Sequence, residues 1–415
     1  MFSAIRWCLG LLAICLALTA WAQDFESTKR AAQQGDAQAQ ADLGKMYATG
    51  QGVAQNHAEA VRWYRKGAQQ GNAQAQNGLG VRYEKGQGVP QSDAQAVQWY
   101  RKAAEQGFAR AQVNLGVMYY TGRGVAQSDT EAVQWFRKAA QQENAQGQHA
   151  LGVMYTYGIG VAQSDAEAEK WFRKAAEQGF APAQHALGLM YTYGISVAQS
   201  DVEAEQWFHK AVPQYREAAE QGDADAQNNL GQMYEGGLGV TRDKAEAMRW
   251  YRMAAEQGNA DAQNSLGLMY QVGKGAAHSY ARAIQWYRKA AEQGHAPAQY
   301  NLGEIYAEGL GVTKNHALAI QWYRKAAQQG YVDAQFELGW IYERGQGVAQ
   351  SDTEAAQWYR KAAEQGDAAA QYKLGGMYAE GKGVAQSNTE AMQWYRKAAQ
   401  QGFEGAQAAL KAMEK

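Results

Sequence analysis

The sequence has few residues that could cross-link the chain or interrupt its helices: 415 residues include two cysteines and four prolines. Both cysteines, Cys8 and Cys15, lie within the first 22 residues. This segment has the features of an export signal, with an apolar run after Arg6 and an A-x-A cleavage site that ends at Ala22. Cleavage would leave no disulfide and no thiolate metal ligand, so the mature chain must be stabilised by packing alone.

Long apolar runs and an excess of charge are also missing. The apolar run before Ala22 is shorter than the roughly 20 residues of a membrane-spanning helix, and no later run approaches that length. Ile14 precedes Cys15 where a bacterial lipoprotein signal requires a small residue, so we expect no membrane or lipid anchor. The 40 basic and 41 acidic residues nearly balance, which disfavours a nucleic-acid partner. We therefore expect an exported protein, periplasmic or secreted, whose mature chain begins at Gln23.

What the sequence does contain is a repeat of 36 residues that occurs ten times with one insertion. We count repeat positions from the first residue of each copy. The copies begin at Gly35, Gly71, Gly107, Glu143, Gly179, Gly222, Gly258, Gly294, Gly330 and Gly366. This organisation predicts an N-terminal capping helix over 23–34, repeats 1–5 over 35–221, repeats 6–10 over 222–401 and a C-terminal capping helix over 402–415.

Each repeat predicts two helices. In repeat 2, Ala75, Leu79 and Tyr83 share one stripe of the first helix, and Gly80 beside them allows another helix to approach closely. The second helix begins at a polar N-cap residue, Ser92 in this repeat. The equivalent N-caps are Asn56, Ser128, Ser164, Ser200, Asp243, Ser279, Asn315, Ser351 and Ser387, and most have Glu three residues later, as in a capping box.

A tryptophan recurs in every second helix, at a spacing that predicts a buried stripe shared with the next aromatic residue. The ten residues are Trp63, Trp99, Trp135, Trp171, Trp207, Trp250, Trp286, Trp322, Trp358 and Trp394. Such a series could be interpreted as a ligand platform, but the spacing favours core packing.

The repeat, seen as LGVRYEKGQGVPQSDAQAVQWYRKAAEQG from Leu79 to Gly107, resembles the Sel-one-like repeats, which are related to tetratricopeptide repeats. The resemblance covers nearly all of the chain after residue 22. It implies an all-α fold, a right-handed superhelical solenoid of antiparallel helix pairs, that acts as an adaptor or scaffold. It names no partner.

The insertion lies between Trp207 and Gly222 and adds seven residues, which at 100° each nearly restore the helical phase. Pro213 lies within it, removes an amide donor and disfavours helical geometry at Val212. We expect a kink or break near 209–215 that changes the direction of the superhelix. The alternative is a surface bulge without consequence.

Positions 4, 7, 11, 14 and 15 of the first helix lie opposite its buried stripe and vary between repeats. In tetratricopeptide-like stacking this side lines the concave groove, so these positions are candidates for binding a partner. Repeats 3–5 supply Tyr120, His149, Tyr157, His185 and Tyr193, a neutral stretch of aromatic and imidazole groups. Repeats 6–10 supply carboxylates among aromatic residues: Asp225, Glu235, Asp261, Tyr300, Glu304, Glu308, Asp333, Phe336, Trp340, Glu343, Tyr372 and Glu380.

Aromatic groups bordered by carboxylates suit a protein or peptide that carries apolar and basic side chains. Aromatic residues also bind sugars, so a cell-envelope polysaccharide such as peptidoglycan is the alternative ligand. A hydrolase is the remote alternative, because some cysteine-rich relatives are linked to penicillin binding. The sequence lacks S-x-x-K and K-T-G, and the histidines lack H-E-x-x-H spacing. His149 and His185 have no third ligand beside them, so we expect no enzyme, no metal site and no cofactor.

Overall fold

The computed structural model describes residues 24–413, so the proposed export signal and its cleavage site lie outside the described residues. The described residues form 22 helices and no strand, arranged as a solenoid of helix pairs. Helix α1 covers 24–33 and α22 covers Glu404–Met413. Within this part of the chain, no helix is both long enough and apolar enough to span a membrane.

The first helices of the ten repeats carry the even numbers from α2 to α20. They are α2 Ala37–Thr49, α4 Ala73–Lys85, α6 Ala109–Thr121, α8 Ala145–Tyr157, α10 Ala181–Tyr193, α12 Ala224–Gly236, α14 Ala260–Val272, α16 Ala296–Glu308, α18 Val332–Arg344 and α20 Ala368–Glu380. The second helices carry the odd numbers from α3 to α21. They are α3 His57–Gln69, α5 Asp93–Glu105, α7 Asp129–Gln141, α9 Asp165–Glu177, α11 Asp201–Glu220, α13 Lys244–Glu256, α15 Tyr280–Glu292, α17 His316–Gln328, α19 Asp352–Glu364 and α21 Asn388–Gln400.

The predicted N-caps of all ten second helices are confirmed. In α7, for example, the Ser128 hydroxyl accepts the amide of Glu131 at 3.3 Å. The N-cap's own amide, however, donates to a carbonyl of the preceding first helix, as Ser128 N does to Tyr119 O at 3.0 Å. The reciprocal half of the predicted capping box is thus replaced by a bond that joins the two helices of a pair.

The turn between paired helices favours glycine at the second of its two glycine positions. Gly88 has φ of +77°, and an added Cβ would lie 2.3 Å from the carbonyl oxygen of His57. The loop of one repeat therefore lies directly against the start of the previous second helix. In repeat 5 Ser196 occupies the equivalent position and keeps the left-handed conformation, with φ of +59°.

The aromatic core is formed mainly by the residue after each tryptophan. Tyr100, Tyr251, Tyr287 and Tyr359 are almost fully buried. Each ring packs flat against a first-helix glycine, and a Cβ on Gly80 would lie 2.6 Å from Tyr100 Cε1. The close approach predicted at Gly80 is thereby confirmed.

The tryptophans are less buried than their spacing predicted. Only Trp63, Trp207 and Trp250 are buried, whereas the other seven are half-buried. In nine repeats a lysine three residues later lies over the ring, as Lys138 does 3.9 Å from the Trp135 ring centroid. The series is therefore the rim of the core, covered by cations, and not an open platform.

A ladder of buried glutamines links the two ends of each repeat. The Nε2 of Gln76 donates to the carbonyl of Ala68, and its Oε1 accepts from Gln106 Nε2 at 2.7 Å. The same pair of bonds recurs in nine repeats. In repeat 5, which holds the insertion, the buried Gln184 Oε1 has no hydrogen-bond partner among the described residues.

The chain is not broken at the insertion, because α11 continues from Asp201 to Glu220 with Pro213 inside it and Val212 helical. The seven added residues keep the apolar stripe in phase. The buried side chains of α11 include Phe208, Ala211, Val212, Tyr215 and Ala219. Burial of this stripe outweighs the loss of one amide donor, and the exposed Pro213 lies on the opposite side.

The chain divides into two compact units, with the boundary between Ala211 and Val212. We call them the N-terminal unit and the C-terminal unit. In the C-terminal unit one hydrophobic cluster extends over Ala247 to Ile341. In the N-terminal unit the core consists of smaller clusters, roughly one for each repeat.

Candidate binding surface

In both units, first helices of successive repeats lie side by side. In the N-terminal unit Asn114 Nδ2 donates to Asn77 Oδ1 at 3.0 Å, and in the C-terminal unit Asn301 Nδ2 donates to Asn264 Oδ1 at 2.9 Å. Positions 4, 7, 8, 11, 14 and 15 of these helices therefore form a continuous surface within each unit. We call it the inner surface of that unit.

Position 7 of the inner surface lies over the core ring of the next helix. His149 lies 5.5 Å from the Phe172 centroid, and Tyr300 lies 5.6 Å from Tyr323. Phe336 and Tyr372 make the same contact with Tyr359 and Tyr395. These side chains are half-buried. They are thus part of the packing as well as of the surface, which their position on the helical wheel did not predict.

The two position-7 histidines lie in aromatic surroundings. His149 contacts Phe172 and Phe180, and His185 contacts Phe208. Burial, with a smaller contribution from His185, lowers the pKa of His149 to about 4, and burial also lowers the pKa of His185. Both imidazoles are therefore neutral near pH 7. Among the described residues, no group of three or more possible ligands could hold a metal ion.

The aromatic residues at position 14 or 15 of repeats 3–5 are the exposed aromatic part of the predicted site. Tyr157 and Tyr193 are 71% and 70% exposed, and Tyr120 is 42% exposed. Within the described residues, none of these three rings packs against another ring as the position-7 side chains do. They are free to contact a second molecule.

Two predicted carboxylates at position 14 have internal partners. Glu343 accepts a hydrogen bond from the Tyr359 hydroxyl at 2.7 Å and pairs with Lys373 at 3.0 Å. Glu235 accepts from the Tyr251 hydroxyl at 2.9 Å. Burial acts to raise the pKa of Glu343, but the bonds from Tyr359 and Lys373 outweigh it and hold the pKa below its usual value. These carboxylates satisfy buried hydroxyls.

The neutral character of repeats 3–5 has the same cause. Their core rings are Phe136, Phe172 and Phe208, which have no hydroxyl that requires an acceptor. Position 14 of these repeats carries Tyr120, Thr156 and Thr192 instead of a carboxylate. The change in charge between the repeats thus partly follows the chemistry of the core.

Other predicted carboxylates also have partners. Asp225 accepts from Asn259 Nδ2 at 2.8 Å, and Asp261 lies 2.9 Å from His295 Nε2. The hydrogen bond from His295 lowers the pKa of Asp261. Glu380 pairs with Lys382. The predicted Trp340 is half-buried, and the Arg344 guanidinium lies 4.8 Å from its ring centroid.

One group of carboxylates has no cationic partner. Glu304 and Glu308 of α16 face Asp333 and Glu337 of α18, and none of the four forms an ion pair within the described residues. Burial raises the pKa of Glu337, and the carboxylates of Glu304, Asp333 and Glu308 raise it further. Burial also raises the pKa of Glu304, against the hydrogen bond that it accepts from Tyr300. We call these four residues the carboxylate cluster.

Two residues of this region were not predicted. Glu337 is at position 8, which faces the neighbouring first helix and was assigned to neither the core nor the groove. Tyr331 is at position 2, where most repeats have an Asn, Asp or His N-cap. Its ring lies 5.3 Å from Tyr300, and α18 has no side-chain cap. The replacement of a polar cap by an aromatic residue is a signal that the sequence does offer.

The Sel1 repeat family model matches ten segments, which together cover most of the chain. They are 37–72, 73–108, 109–144, 145–180, 181–212, 224–259, 260–295, 296–331, 332–367 and 368–403. No curated protein matches the chain.

Solved structures with related sequences are also found. A protective antigen from uropathogenic Escherichia coli strains, which displays an SLR fold, is 42% identical over 93% of this chain and 81% of its own, with a TM-score of 0.45. A Sel1 repeat protein from Oxalobacter formigenes is 35% identical over 76% of this chain and 89% of its own, with a TM-score of 0.48. The family match and these identities agree with the helix pairs and their 36-residue period. The chain belongs to the Sel1 repeat family, whose members are typically protein-interaction scaffolds.

Proposed function

We propose that this protein is an exported scaffold that binds an extended, basic segment of a partner protein on the inner surface of its C-terminal unit. The observation that carries the proposal is the carboxylate cluster of Glu304, Glu308, Asp333 and Glu337, which lacks any cationic partner within the described residues. Export is proposed from the features of the first 22 residues alone.

The carboxylate cluster is costly to the free protein. Glu304 and Glu337 are half-buried, and the ionised form of each is repelled by the neighbouring carboxylates. A lysine or arginine side chain placed among them would relieve this repulsion. Glu343, one turn beyond Trp340, shows the contrast, since its ion pair with Lys373 already supplies that compensation.

Aromatic rings beside the cluster suit the same ligand. Tyr300 lies between Tyr323 and Tyr331, and its hydroxyl donates to Glu304 at 3.1 Å. The half-buried Phe336 follows on α18. A cationic head group gains from an adjacent ring face, and neighbouring apolar residues of the segment gain burial there. A segment with alternating basic and apolar residues fits both features.

The test uses labelled decapeptide pools, one with two lysines or arginines among apolar residues and one with glutamine in their place. We expect the basic pool to bind and the glutamine pool to bind at least about tenfold more weakly. The double variant Glu304→Gln/Glu337→Gln should weaken basic-pool binding by about tenfold or more, and high salt should do likewise. These substitutions keep side-chain shape, whereas alanine at Tyr300, Phe336 or Tyr372 would damage the core.

The matched control is Glu292→Gln/Glu364→Gln, which removes two exposed carboxylates from the ends of α15 and α19. It should leave binding unchanged. Equal binding of both pools, or equal affinity of the cluster variant and the control, would overturn the proposal. Saturable binding of soluble peptidoglycan fragments that the cluster variant retains would instead support the glycan alternative.

A further inference from the structure

A second candidate site lies in the N-terminal unit, where a cavity of about 660 Å³ opens on the inner surface of repeats 1 to 3. Its walls include α2, α4 and the start of α6. Gly78 of α4 contributes no side chain to the wall, and a Cβ there would lie 2.6 Å from the Tyr64 ring. A cavity of this size accommodates a few amino-acid residues.

Three cationic side chains line the cavity: Lys45, Arg82 and Arg110. None of them forms an ion pair within the described residues. The carboxylate of Asp42, near the lining residue Tyr64, accepts hydrogen bonds from the amides of Gln38 and Gln74. The cavity therefore holds an excess of positive charge, in contrast to the carboxylate cluster.

The guanidinium of Arg82 is held in place without being neutralised. Its NH1 lies 3.3 Å from His57 Nδ1, and arginine can only donate, so this histidine nitrogen is the unprotonated acceptor. Arg82 Nε is buried and has no hydrogen-bond partner among residues 24–413. Within the described residues, the guanidinium is therefore held by an uncharged imidazole and has no anionic partner. It is available to an incoming anion.

The start of α6 adds to the same wall. Phe108 takes the place of the Asn or Asp found at most first-helix N-caps, and no side chain caps α6. Residues 107–110 line the cavity. Further along α6, Val117 is 38% exposed beside the exposed Tyr120. Val117 and Tyr120 thus lie along the helix whose first turn lines the cavity.

We propose that this cavity binds a carboxylate of an extended peptide, whose neighbouring apolar residues lie along α6. The inference goes beyond the proposed function, because it assigns a second site with the opposite charge preference in the other unit. The side-chain amides of Gln74, Asn77, Gln142 and Asn144 in the lining can hydrogen-bond the peptide backbone. This combination of amides, apolar side chains and cations favours a peptide over a simple anion.

The test measures binding of the purified chain to a labelled hexapeptide pool with two glutamates followed by apolar residues. A second pool has glutamine in place of glutamate and an amidated C-terminus, and inorganic phosphate serves as the simple anion. We expect the acidic pool to bind at least tenfold more tightly than the neutral pool. Lys45→Gln and Arg110→Gln, both at exposed positions, should each weaken acidic-pool binding by about tenfold.

The matched control is Arg65→Gln, which removes one exposed positive charge from the second helix α3 and should change nothing. Glu304→Gln/Glu337→Gln should also leave acidic-pool binding unchanged, so failure of this site and failure of the proposed function are distinguishable. No binding of the acidic pool at millimolar concentration would overturn the inference. So would equal binding of the neutral pool, unchanged binding by both cavity variants, or saturation by phosphate at the same affinity.

Discussion

The N-terminal and C-terminal units repeat the same helix pair but present different chemistry on their inner surfaces. In its described part, the N-terminal unit has three cations without an anionic partner around a cavity, and strongly exposed tyrosines at Tyr157 and Tyr193. The C-terminal unit has the carboxylate cluster and rings that are packed into the core. The same helix pair can therefore present two different inner surfaces. The inner-surface residues that differ between the units are largely separate from the glycine, glutamine and N-cap residues that maintain each helix pair.

The largest expected effect concerns the glycines under the core rings, which both units share. Gly152→Ala in the N-terminal unit and Gly375→Ala in the C-terminal unit would place a Cβ 2.6 and 2.7 Å from Phe172 and Tyr395 ring atoms. We expect each to lower the free energy of unfolding by about 2 to 3 kcal/mol. Urea unfolding followed by circular dichroism measures this loss.

Gly376→Ala is the matched control, because the nearest atom to its Cβ would be the Tyr395 hydroxyl at 3.5 Å. It should be neutral or stabilise the helix by up to about 1 kcal/mol. A large loss for only one of Gly152→Ala and Gly375→Ala would mean that the two units do not share the same packing.

A smaller effect is expected when a core phenylalanine of the N-terminal unit is replaced by tyrosine, the core residue of the C-terminal unit. Phe172→Tyr buries a hydroxyl without a carboxylate acceptor and should cost about 1 to 2 kcal/mol of unfolding free energy. Thr156→Glu would supply an acceptor, because position 156 precedes position 172 by 16 residues, the same separation as between Glu343 and Tyr359. The double variant should recover most of the loss. Additive effects in the double-mutant cycle would contradict the role assigned to position 14.

The smallest expected effect concerns the carboxylate cluster. Because the pKa of Glu337 is raised in the folded state, its ionisation opposes folding, and stability falls as pH rises from the unfolded through the folded pKa. Glu337→Gln should therefore raise the free energy of unfolding at pH 7 by up to about 1 kcal/mol. The gain should vanish below the usual pKa of glutamate. Glu364→Gln, which removes an exposed carboxylate outside the cluster, is the control, and the same pH-dependent gain in both variants would contradict the role of the cluster.

The sequence predicts the helix pairs well because their signals are local. The Ser128 cap and the apolar stripe of α11 each depend on neighbours within one or two turns. The relative burial of Trp99 and Tyr100 is not local, since both lie near the same stripe and only the opposing Gly80 decides which ring is covered. The continuity of the helix at Pro213 is harder to predict, because it depends on the burial of Tyr215 beyond the proline.

The candidate site is harder to predict than the fold. Glu343 appears free in the sequence, because its partners Tyr359 and Lys373 are 16 and 30 residues away. Glu337 was missed for a related reason: its environment depends on Glu304 in the previous repeat. Contacts that recur once per repeat are visible in an alignment of the copies, but contacts peculiar to one pair of repeats require coordinates.

The buried glutamine ladder has a consequence for how the scaffold responds to its surroundings. Its links, such as Gln142 to Gln112, join groups that neither gain nor lose a proton over the whole accessible pH range. Changes of acidity or salt should therefore leave the spacing of the repeats intact while they alter the charge of Glu304, Glu337 and their neighbours. The hydrogen bonds that set the repeat spacing are thus independent of pH, whereas the charge of the inner surface depends on it.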